Sequence, residues 1–159
     1  MMERVNAIVR HPVFSEHLVR LEELEQARIF CRHDLSHLLD VARLMWIAAL
    51  EEQLPVNQEV VYAAALLHDL GRVEQMEAGT PHHQASADLA ARILPEAGFS
   101  EVETARIQKA IACHRGDGGD DILGQLLYWA DKESRPCWVC AAKNKCNWPQ
   151  EKKNWEITR

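Results

Sequence analysis

The stretch AAALLHDLGR, residues 63–72, decides how the rest of this chain is arranged. An apolar run typical of a buried helix ends in His68 and Asp69, and Gly71 and Arg72 follow at once. An imidazole and a carboxylate held side by side against a hydrophobic wall are a ready pair of metal ligands, because packing fixes their orientation. A polar helix end, with Asp69 paired to a nearby arginine, is the other interpretation of this stretch alone.

The composition is that of one globular domain. Of the 159 residues, 47% are hydrophobic and 26% are charged, which is enough for a single sizeable core. The net charge of -6 argues against a protein that binds nucleic acid or an anionic membrane by electrostatic attraction. If the substrate carries phosphate, a local group of cations or a metal ion must attract it.

Two further features concern the compartment. No run approaches the roughly 18 to 20 apolar residues of a membrane span, and the amino terminus MMERVNAIVRHP lacks the apolar centre of a signal peptide. We therefore predict a cytoplasmic protein without a membrane partner. Five cysteines, an odd number, indicate thiols or metal ligands rather than a disulfide framework.

Apolar residues recur at helical spacing through most of the chain, and no segment alternates with the period of a strand. Asp34, Asn57, Ser100 and Asp121 are good N-terminal caps, and Ser100 forms a capping box with Glu103. The predicted helices cover about residues 14–30, 34–52, 58–70, 82–94, 100–114 and 121–131. The sequence thus predicts an all-α, single-domain helical bundle of about six or seven helices, with a Cys-rich C-terminal tail over residues 136–159.

The connection between the third and fourth predicted helices contains two turn signals. Gly71 is expected to be a left-handed C-terminal cap, and EQMEAGT, residues 74–80, is expected to be a polar loop. Thr80 and Pro81 then supply an N-cap and a first-turn proline for the helix that begins at His82.

Histidines and aspartates recur at the ends of these apolar helices. A neutral imidazole or a carboxylate at the border of a packed helix needs a partner, and one divalent metal ion satisfies several of them at once. Five helices contribute at least one such residue, and together they give His37, His68, Asp69, His82 or His83, His114 and Asp131.

The order of these residues resembles the HD-domain superfamily of metal-dependent phosphohydrolases. HDLSHLLDVAR, residues 33–43, is similar to the helix with that family's first histidine, and ALLHDLGR, residues 65–72, is similar to its central motif. LLYWADKESR, residues 126–135, is similar to the helix with its last aspartate. The resemblance covers an HD-like core over about residues 33–135 and implies the HD helical fold.

Two more segments resemble the binuclear branch of that superfamily, which includes HD-type diadenosine tetraphosphate hydrolases and HD-GYP phosphodiesterases. PHHQASADLA, residues 81–90, is similar to the segment with one additional histidine, and its spacing to Ser86 selects His82 over His83. IACHR, residues 111–115, resembles the segment with the second additional histidine, which is His114 in this chain.

The resemblance implies two divalent metal ions, with iron or manganese favoured over zinc or magnesium. It assigns one ion to His37, His68, Asp69 and Asp131. It assigns the second ion to His82 and His114, with Asp69 bridging as the catalytic ligand. Core histidines bonded to backbone carbonyls remain the alternative interpretation, and Asp131 could instead pair with Lys132 or Arg135.

Two cations next to these motifs are candidates for binding substrate. Arg72 follows the central motif and Lys132 follows the last aspartate, so both are expected to contact phosphate oxygens. Their alternative is a solvated surface charge.

The tail carries Cys137, Cys140 and Cys146 in a C-x2-C-x5-C pattern. Three thiolates are one short of a closed tetrahedral zinc site, and either Cys31 or Cys113 could supply the fourth. A structural zinc site or an iron–sulfur site is one interpretation, and three reduced thiols in a tail held by tryptophans are the alternative.

The function predicted from these residues and from the resemblance is hydrolysis of a nucleotide or another small phosphate ester or anhydride by a metal-activated water molecule. One alternative is a regulatory HD module that binds metal and nucleotide without turnover, and another is a metal or redox sensor that uses the cysteine tail. The expected partner is a small phosphorylated molecule rather than nucleic acid, and a homo-oligomer is left open.

Overall fold

The computed structural model describes residues 1–159 and is all-helical, as predicted. It contains eight α-helices and no strand. They are α1 (Glu3–Arg10), α2 (Pro12–Leu24), α3 (Leu35–Glu51), α4 (Gln58–Leu67), α5 (Arg72–Ala78), α6 (His82–Glu96), α7 (Glu101–Cys113) and α8 (Ile122–Glu133).

The core is built around α4, which ends at the central motif. Its sequence is apolar on every side, and residues 63–67 are fully buried. Helices α1, α3, α6, α7 and α8 pack around it. A helix enclosed in this way presents its C-terminal end, and the residues just after it, to the interior of the bundle.

The predicted caps start three of the surrounding helices. The side chain of Asp34 accepts a hydrogen bond from the backbone N–H of His37, at 3.0 Å. Ser100 and Glu103 form the capping box at the start of α7, and Asp121 caps α8 by accepting from Leu123 N–H. These contacts satisfy N–H groups that have no partner within the helix, so they fix where each helix begins.

The N-terminal region differs from the prediction of one helix over residues 14–30. It forms α1 and α2, which are separated at His11. Pro12 occupies the first position of α2, where its missing N–H costs nothing, and the His11 ring accepts from Val13 N–H at 3.2 Å. α2 ends at Leu24, because the next residue, Glu25, turns inward and binds His33.

The prediction that Gly71 is a left-handed C-terminal cap was wrong. Gly71 has φ -67° and begins α5, which occupies most of the expected polar loop. Glycine is needed there because α6 comes so close that a Cβ would collide with the backbone of Ser86 and His82. The left-handed cap is Gly79, with φ 77°, at the end of α5. Thr80 does not cap α6, whose N-cap is Pro81.

The tail, residues 136–159, runs back over the helical body. It contains two short 3-10 turns, Cys137–Val139 and Gln150–Lys152. Asn154 donates hydrogen bonds to the carbonyls of Lys132, Glu133 and Arg135, at 2.8, 3.1 and 2.9 Å. Lys132 and Glu133 are the last residues of α8 and Arg135 follows them, so these hydrogen bonds attach the tail to the C-terminal end of that helix.

No α-helix of the chain combines the length and the hydropathy that spanning a membrane requires.

Candidate metal centre

Five helix ends meet beside α4 and carry the six predicted metal ligands. His37 lies in the first turn of α3, His82 begins α6, and His114 follows the end of α7. His68 and Asp69 form the turn after α4, and Asp131 lies in the last turn of α8. The four histidines and Asp69 are buried, and the Asp131 side chain is 16% exposed. The structure therefore brings together residues up to 94 positions apart in the sequence.

Four of these residues form what we term the first cluster, namely His37, His68, Asp69 and Asp131. His68 Nε2 lies 3.2 Å from Asp69 Oδ2 and 3.7 Å from Asp131 Oδ1. His37 Nε2 lies 3.6 Å and 3.5 Å from the same two oxygens. Two imidazoles and two carboxylates thus face one point, which is a ligand set suited to a divalent metal ion.

The second cluster consists of Asp69, His82 and His114. His82 Nε2 and His114 Nε2 lie 3.4 Å and 3.8 Å from Asp69 Oδ1. Asp69 therefore belongs to both clusters, with Oδ2 directed to the first and Oδ1 to the second. This is the geometry of a carboxylate that could bridge two metal ions.

Each of the four histidines binds an oxygen through Nδ1 and directs Nε2 inward. His68 and His114 contact the carbonyls of Ala65 and Ile111, at 2.7 and 2.6 Å, and His82 contacts Gln75 Oε1 at 2.6 Å. The partner of His37 is Ser134 Oγ, at 3.2 Å. The carbonyl contacts expected of ordinary core histidines are thus present, but they use Nδ1. They leave Nε2 available as a ligand and fix the orientation of the ring.

Two observations show that the residues fit a metal ion. His68 Nε2 and Asp69 Oδ2 are buried and have no hydrogen-bond partner, although they lie 3.2 Å apart. In the second cluster, His82 Nε2 and His114 Nε2 are 3.2 Å apart. Because Nδ1 is the donor in both neutral rings, these two nitrogens present lone pairs to each other. A cation between such atoms satisfies them without any rearrangement of the helices.

The charges of the second cluster favour neutral histidines. Burial, and then the charge of Arg72, lower the pKa of His82 to about 3. Burial, and then the neighbouring His68, lower the pKa of His114 to about 4. Both rings are therefore unprotonated at neutral pH, which is the state in which imidazole binds metal.

The first cluster is more strongly charged. Burial disfavours the protonated form of His68, but the carboxylates of Asp69 and Asp131 outweigh it and raise the pKa of His68 to about 9. Burial likewise opposes ionisation of Asp69 and Asp131, and nearby histidines overcome it, so both pKa values lie well below the usual range. A divalent ion in this cluster would take the place of the His68 proton.

Asp131 also pairs with Lys132 and Arg135, the two cations that the sequence offered as its alternative partners. Lys132 Nζ lies 3.1 Å from Asp131 Oδ2, and Arg135 Nη2 lies 3.2 Å from Asp131 Oδ1. The same Arg135 nitrogen donates to His37 Nε2 at 3.0 Å. The guanidinium of Arg135 therefore contacts two ligand atoms of the first cluster.

The structure separates the two adjacent histidines at the start of α6. His82 is 2% exposed and belongs to the second cluster, whereas His83 is half-buried and belongs to neither cluster. The position of His82 agrees with the spacing to Ser86, which selected it over His83 in the sequence.

Arg72 and Lys132 are not free surface charges. Arg72 Nε binds Asp69 Oδ1 at 2.8 Å, and Lys132 Nζ lies over the Tyr128 ring, 4.1 Å from its centroid. Both line a cavity of about 1020 Å³ that opens onto His114 and Asp131.

Cations dominate the walls of this cavity, although the chain as a whole is acidic. Two carboxylates, Asp131 and Glu133, also line it. The cationic side chains are Arg28, Arg72, Arg115, Lys132, Arg135, Lys143, Lys145, Lys152 and Lys153. Such a concave cationic wall attracts anions whatever the net charge of the protein.

Sequence reasoning missed His33 and Glu25. His33 is buried, its Nδ1 lies 2.6 Å from Glu25 Oε1, and its Nε2 lies 3.8 Å from Asp69 Oδ2. Burial lowers the pKa of His33 to about 4, against the opposing effect of Glu25. The signal was a second His-Asp dipeptide at residues 33–34, four positions before His37.

The family model of the HD domain matches residues 34–135, which contain every residue of both clusters. The chain belongs to the HD domain family. HD domains bind divalent metal ions, and the two clusters are the groups of this chain that could hold them.

Three relatives illustrate how this HD domain compares with known proteins. An uncharacterized protein of Clostridium beijerinckii is 41% identical over 156 residues, which are 98% of this chain and 99% of the relative. Ribonuclease Y of Syntrophobacter fumaroxidans is 32% identical over 122 residues, or 76% of this chain, but this chain spans only 22% of that protein. Ribonuclease Y of Acetivibrio thermocellus is 30% identical over 125 residues and is also covered to 22%.

A solved structure has the same fold. It is described as a predicted HD superfamily hydrolase from an uncultured Thermotogales bacterium and superposes with a TM-score of 0.63. The sequences are 26% identical, and the match covers 76% of this chain and 65% of the other.

Proposed function

We propose that this HD domain protein is a metal-dependent phosphohydrolase with a binuclear centre, and that its substrate is a nucleotide or another small phosphate ester or anhydride. The observation that carries the proposal is the position of Asp69, whose two carboxylate oxygens face different groups of ligands. The similarity to ribonuclease Y and to a predicted HD superfamily hydrolase supports hydrolysis of a phosphate ester in general.

The proposed ligands of one ion are His37, His68, Asp69 and Asp131, and those of the other are His82, His114 and Asp69. Mixed imidazole and carboxylate ligands suit iron and manganese, with zinc and magnesium as further candidates. Two such ions would acidify a shared water molecule and bind the phosphate, which removes the need for a nucleophilic side chain.

The side chains of this protein supply orientation, charge and exclusion of water. The Nδ1 contacts hold the four imidazoles in position before any ion binds. Arg72 and Lys132, at the inner end of the cationic cavity, would bind phosphate oxygens and stabilise the charge that develops during hydrolysis. Residues 63–67 of α4 and Leu70 are fully buried next to His68 and Asp69, so bulk water does not reach the centre from the core.

The size of the cavity supports a small substrate. A volume of about 1020 Å³ accommodates a nucleotide-sized molecule, and Tyr128 and Trp148 offer aromatic surface to a base. We therefore prefer a nucleotide to a long nucleic acid, whose binding the charge of -6 opposes outside the cavity.

A substrate panel tests the proposal. Protein loaded with Mn²⁺, Fe²⁺, Zn²⁺ or Mg²⁺ is assayed with a generic phosphate ester, mononucleotides, dinucleoside polyphosphates, cyclic dinucleotides and a short RNA. We expect hydrolysis of a nucleotide with Mn²⁺ or Fe²⁺, loss of hydrolysis in His68→Ala, and retention in the matched control His83→Ala. Arg72→Ala and Lys132→Ala should raise KM while the metal content is kept.

The other outcomes separate the alternatives. Tight nucleotide binding without turnover under any metal would make the protein a regulatory HD module. Preference for the RNA would overturn our choice of a small substrate. Equal activity of His68→Ala and wild type would overturn the role of the centre in hydrolysis.

A further inference from the structure

Four of the five cysteines lie together outside the histidine–aspartate clusters. Cys31 precedes α3, and Cys137, Cys140 and Cys146 belong to the tail, yet all four line the same cavity. The fifth, Cys113, does not line it and instead lies against Gly119, on the far side of the loop after α7. The structure thus chooses Cys31 over Cys113 as the companion of the three tail thiols.

One hydrogen bond joins the two segments, and further hydrogen bonds order each segment on its own. Arg135 Nη1 donates to the carbonyl of Arg32 at 3.1 Å, and Arg28 Nε donates to the carbonyl of Cys31 at 2.8 Å. In the tail, the 3-10 turn at Cys137 places the Cys140 N–H on the Cys137 carbonyl at 3.2 Å. Two cysteines in such a turn have the C-x2-C spacing that is typical of zinc sites.

The thiols affect one another. All five cysteines are reduced. Burial raises the pKa of the Cys31 thiol against the lowering effect of Arg135, and Cys140, Cys137 and Cys146 raise it further because their own thiolates would lie nearby. Four thiolates at this place are therefore unfavourable unless a cation joins them.

The surroundings carry the positive charge that a tetrathiolate zinc site needs. Four thiolates and one Zn²⁺ leave a net charge of about minus two, which neighbouring cations stabilise. Arg28, Lys143, Lys145 and Lys153 line the same cavity as the thiols. Lys153 is only 7% exposed, and the lysines that form ion pairs are Lys109 and Lys132, so its ammonium has no carboxylate partner.

We propose that Cys31, Cys137, Cys140 and Cys146 bind one structural zinc ion as four thiolates. The four thiols release their protons and form four Zn–S bonds, with no change of oxidation state. In the present structure no three of these sulfur atoms lie within 4.8 Å of one another, a distance that only the two histidine–aspartate clusters meet. Binding therefore draws the tail, whose thiols lie on turns, toward Cys31.

The position of this site gives it a structural role. Cys31 and Cys137 lie just outside the two ends of the HD segment, residues 34–135. A zinc ion that joins them closes a loop of the whole HD domain, which restricts the unfolded chain. It also fixes Arg135, which contacts His37 and Asp131 of the first cluster.

Cobalt substitution tests the site independently of hydrolysis. Wild-type protein loaded with Co²⁺ should show the near-ultraviolet charge-transfer absorption of cobalt bound to thiolates, which the histidine–aspartate clusters cannot produce because they contain no sulfur. Cys31→Ser and Cys140→Ser should weaken this absorption, and the matched control Cys113→Ser should leave it unchanged. Absence of the band in wild type, or equal loss in Cys113→Ser, would overturn the proposal.

A second measurement uses wild-type protein, so it does not depend on whether the cysteine variants fold. Zinc-loaded wild type should expose only Cys113 to a thiol reagent, and a chelator should make the other four cysteines reactive and speed tryptic cleavage at Lys143 and Lys145. Four protected thiols with one zinc per chain, beyond any metal in the histidine–aspartate clusters, support the site. Thiols that react equally with and without the chelator, or a disulfide within the tail, count against it.

Discussion

The first and second clusters share Asp69 but balance their charges in different ways. In the first, Arg135 and Lys132 contact the ligand oxygens of Asp131, and the carboxylates raise the pKa of His68 to about 9. In the second, the pKa values of His82 and His114 fall to about 3 and 4, and two nitrogen lone pairs meet at 3.2 Å. Arg135 thus occupies His37 Nε2 and Asp131 Oδ1 in the first cluster, whereas the Nε2 atoms of His82 and His114 in the second cluster face only each other and Asp69.

The difference follows from where the helices end. The second cluster lies between the start of α6 and the end of α7, two helices that pack against each other along their length. Its histidines are almost fully enclosed. The first cluster includes the last turn of α8, where Lys132 and Arg135 contact Asp131. Burial therefore lowers the pKa values of the second cluster's histidines, whereas the carboxylates of the first cluster raise the pKa of His68.

Replacement of the shared carboxylate should have the largest effect. Asp69→Ala removes a ligand from both clusters, so we expect loss of both metal ions and of all hydrolysis. In metal-free protein it also leaves His68 and Arg72 without their buried partner, which should reduce the free energy of unfolding by about 3 to 5 kcal/mol. Elemental analysis, activity assays and chemical denaturation measure these effects.

Asp88→Ala is the matched control, because Asp88 is exposed on α6 and belongs to neither cluster. It should retain the metal content, the activity and the stability of wild type. Full metal content in Asp69→Ala would show that the two clusters do not share a ligand.

Loss of the second cluster alone should remove one ion. In the double variant His82→Ala and His114→Ala, the four ligands of the first cluster remain, so the metal held by the two histidine–aspartate clusters should fall from two ions per chain to one. Because ligation contributes to folding, the variant should melt lower than wild type in metal-containing buffer, and the difference should shrink under chelation. Wild-type protein that holds one ion in these clusters under iron and manganese loading would contradict the comparison.

Much of this arrangement was predictable because local chemistry decides it. Ser100 and Asp121 place helix starts through contacts within three residues, and these predictions are confirmed. Helix periodicity then places His37, His68 and Asp131 at helix ends, and the resemblance to the HD family implied that they bind the same ion. These side chains lie close together in the structure because α4 packs against its neighbouring helices.

Other features depend on contacts between distant segments, which the sequence does not display. Gly71 was expected to adopt a left-handed conformation, but glycine is required at this position because α6 comes too close for a Cβ atom. The role of Glu25 became visible only when His33 was found 2.6 Å away. Arg135 reaches His37 across 98 residues, so its place in the first cluster is a property of the fold.

Replacement of Gln75, which holds His82 in position, should have a smaller effect on the second cluster than replacement of a ligand. Gln75→Ala removes the acceptor that holds His82 Nδ1, while every proposed ligand stays. Loss of such a supporting contact weakens metal affinity by about 10- to 100-fold. We expect this at the second ion only, measured by competition with a chelator. Gln84→Ala, an exposed glutamine on α6, is the control, and equal weakening by both variants would contradict the role of Gln75.

Arg135→Gln should act on the first cluster and in the opposite direction. Metal binding in the first cluster has to displace the Arg135 guanidinium from His37 Nε2 and Asp131 Oδ1, so removal of the guanidinium should tighten metal binding. If one charged hydrogen bond of about 1.5 kcal/mol no longer has to be broken, the affinity should rise by roughly tenfold or less. The metal-free protein should become less stable for the same reason.

Arg43→Gln is the control for this last change, because Arg43 is an exposed arginine of α3 that is 3.8 Å from Asp40 and remote from both clusters. Chelator competition measures the affinity, and denaturation without metal measures the stability. Tighter binding in Arg135→Gln alone would show that the chain competes with the ion in the first cluster. Weaker binding would mean that Arg135 instead orients Asp131 for the ion, and the contrast between an occupied first cluster and an open second cluster would then be wrong.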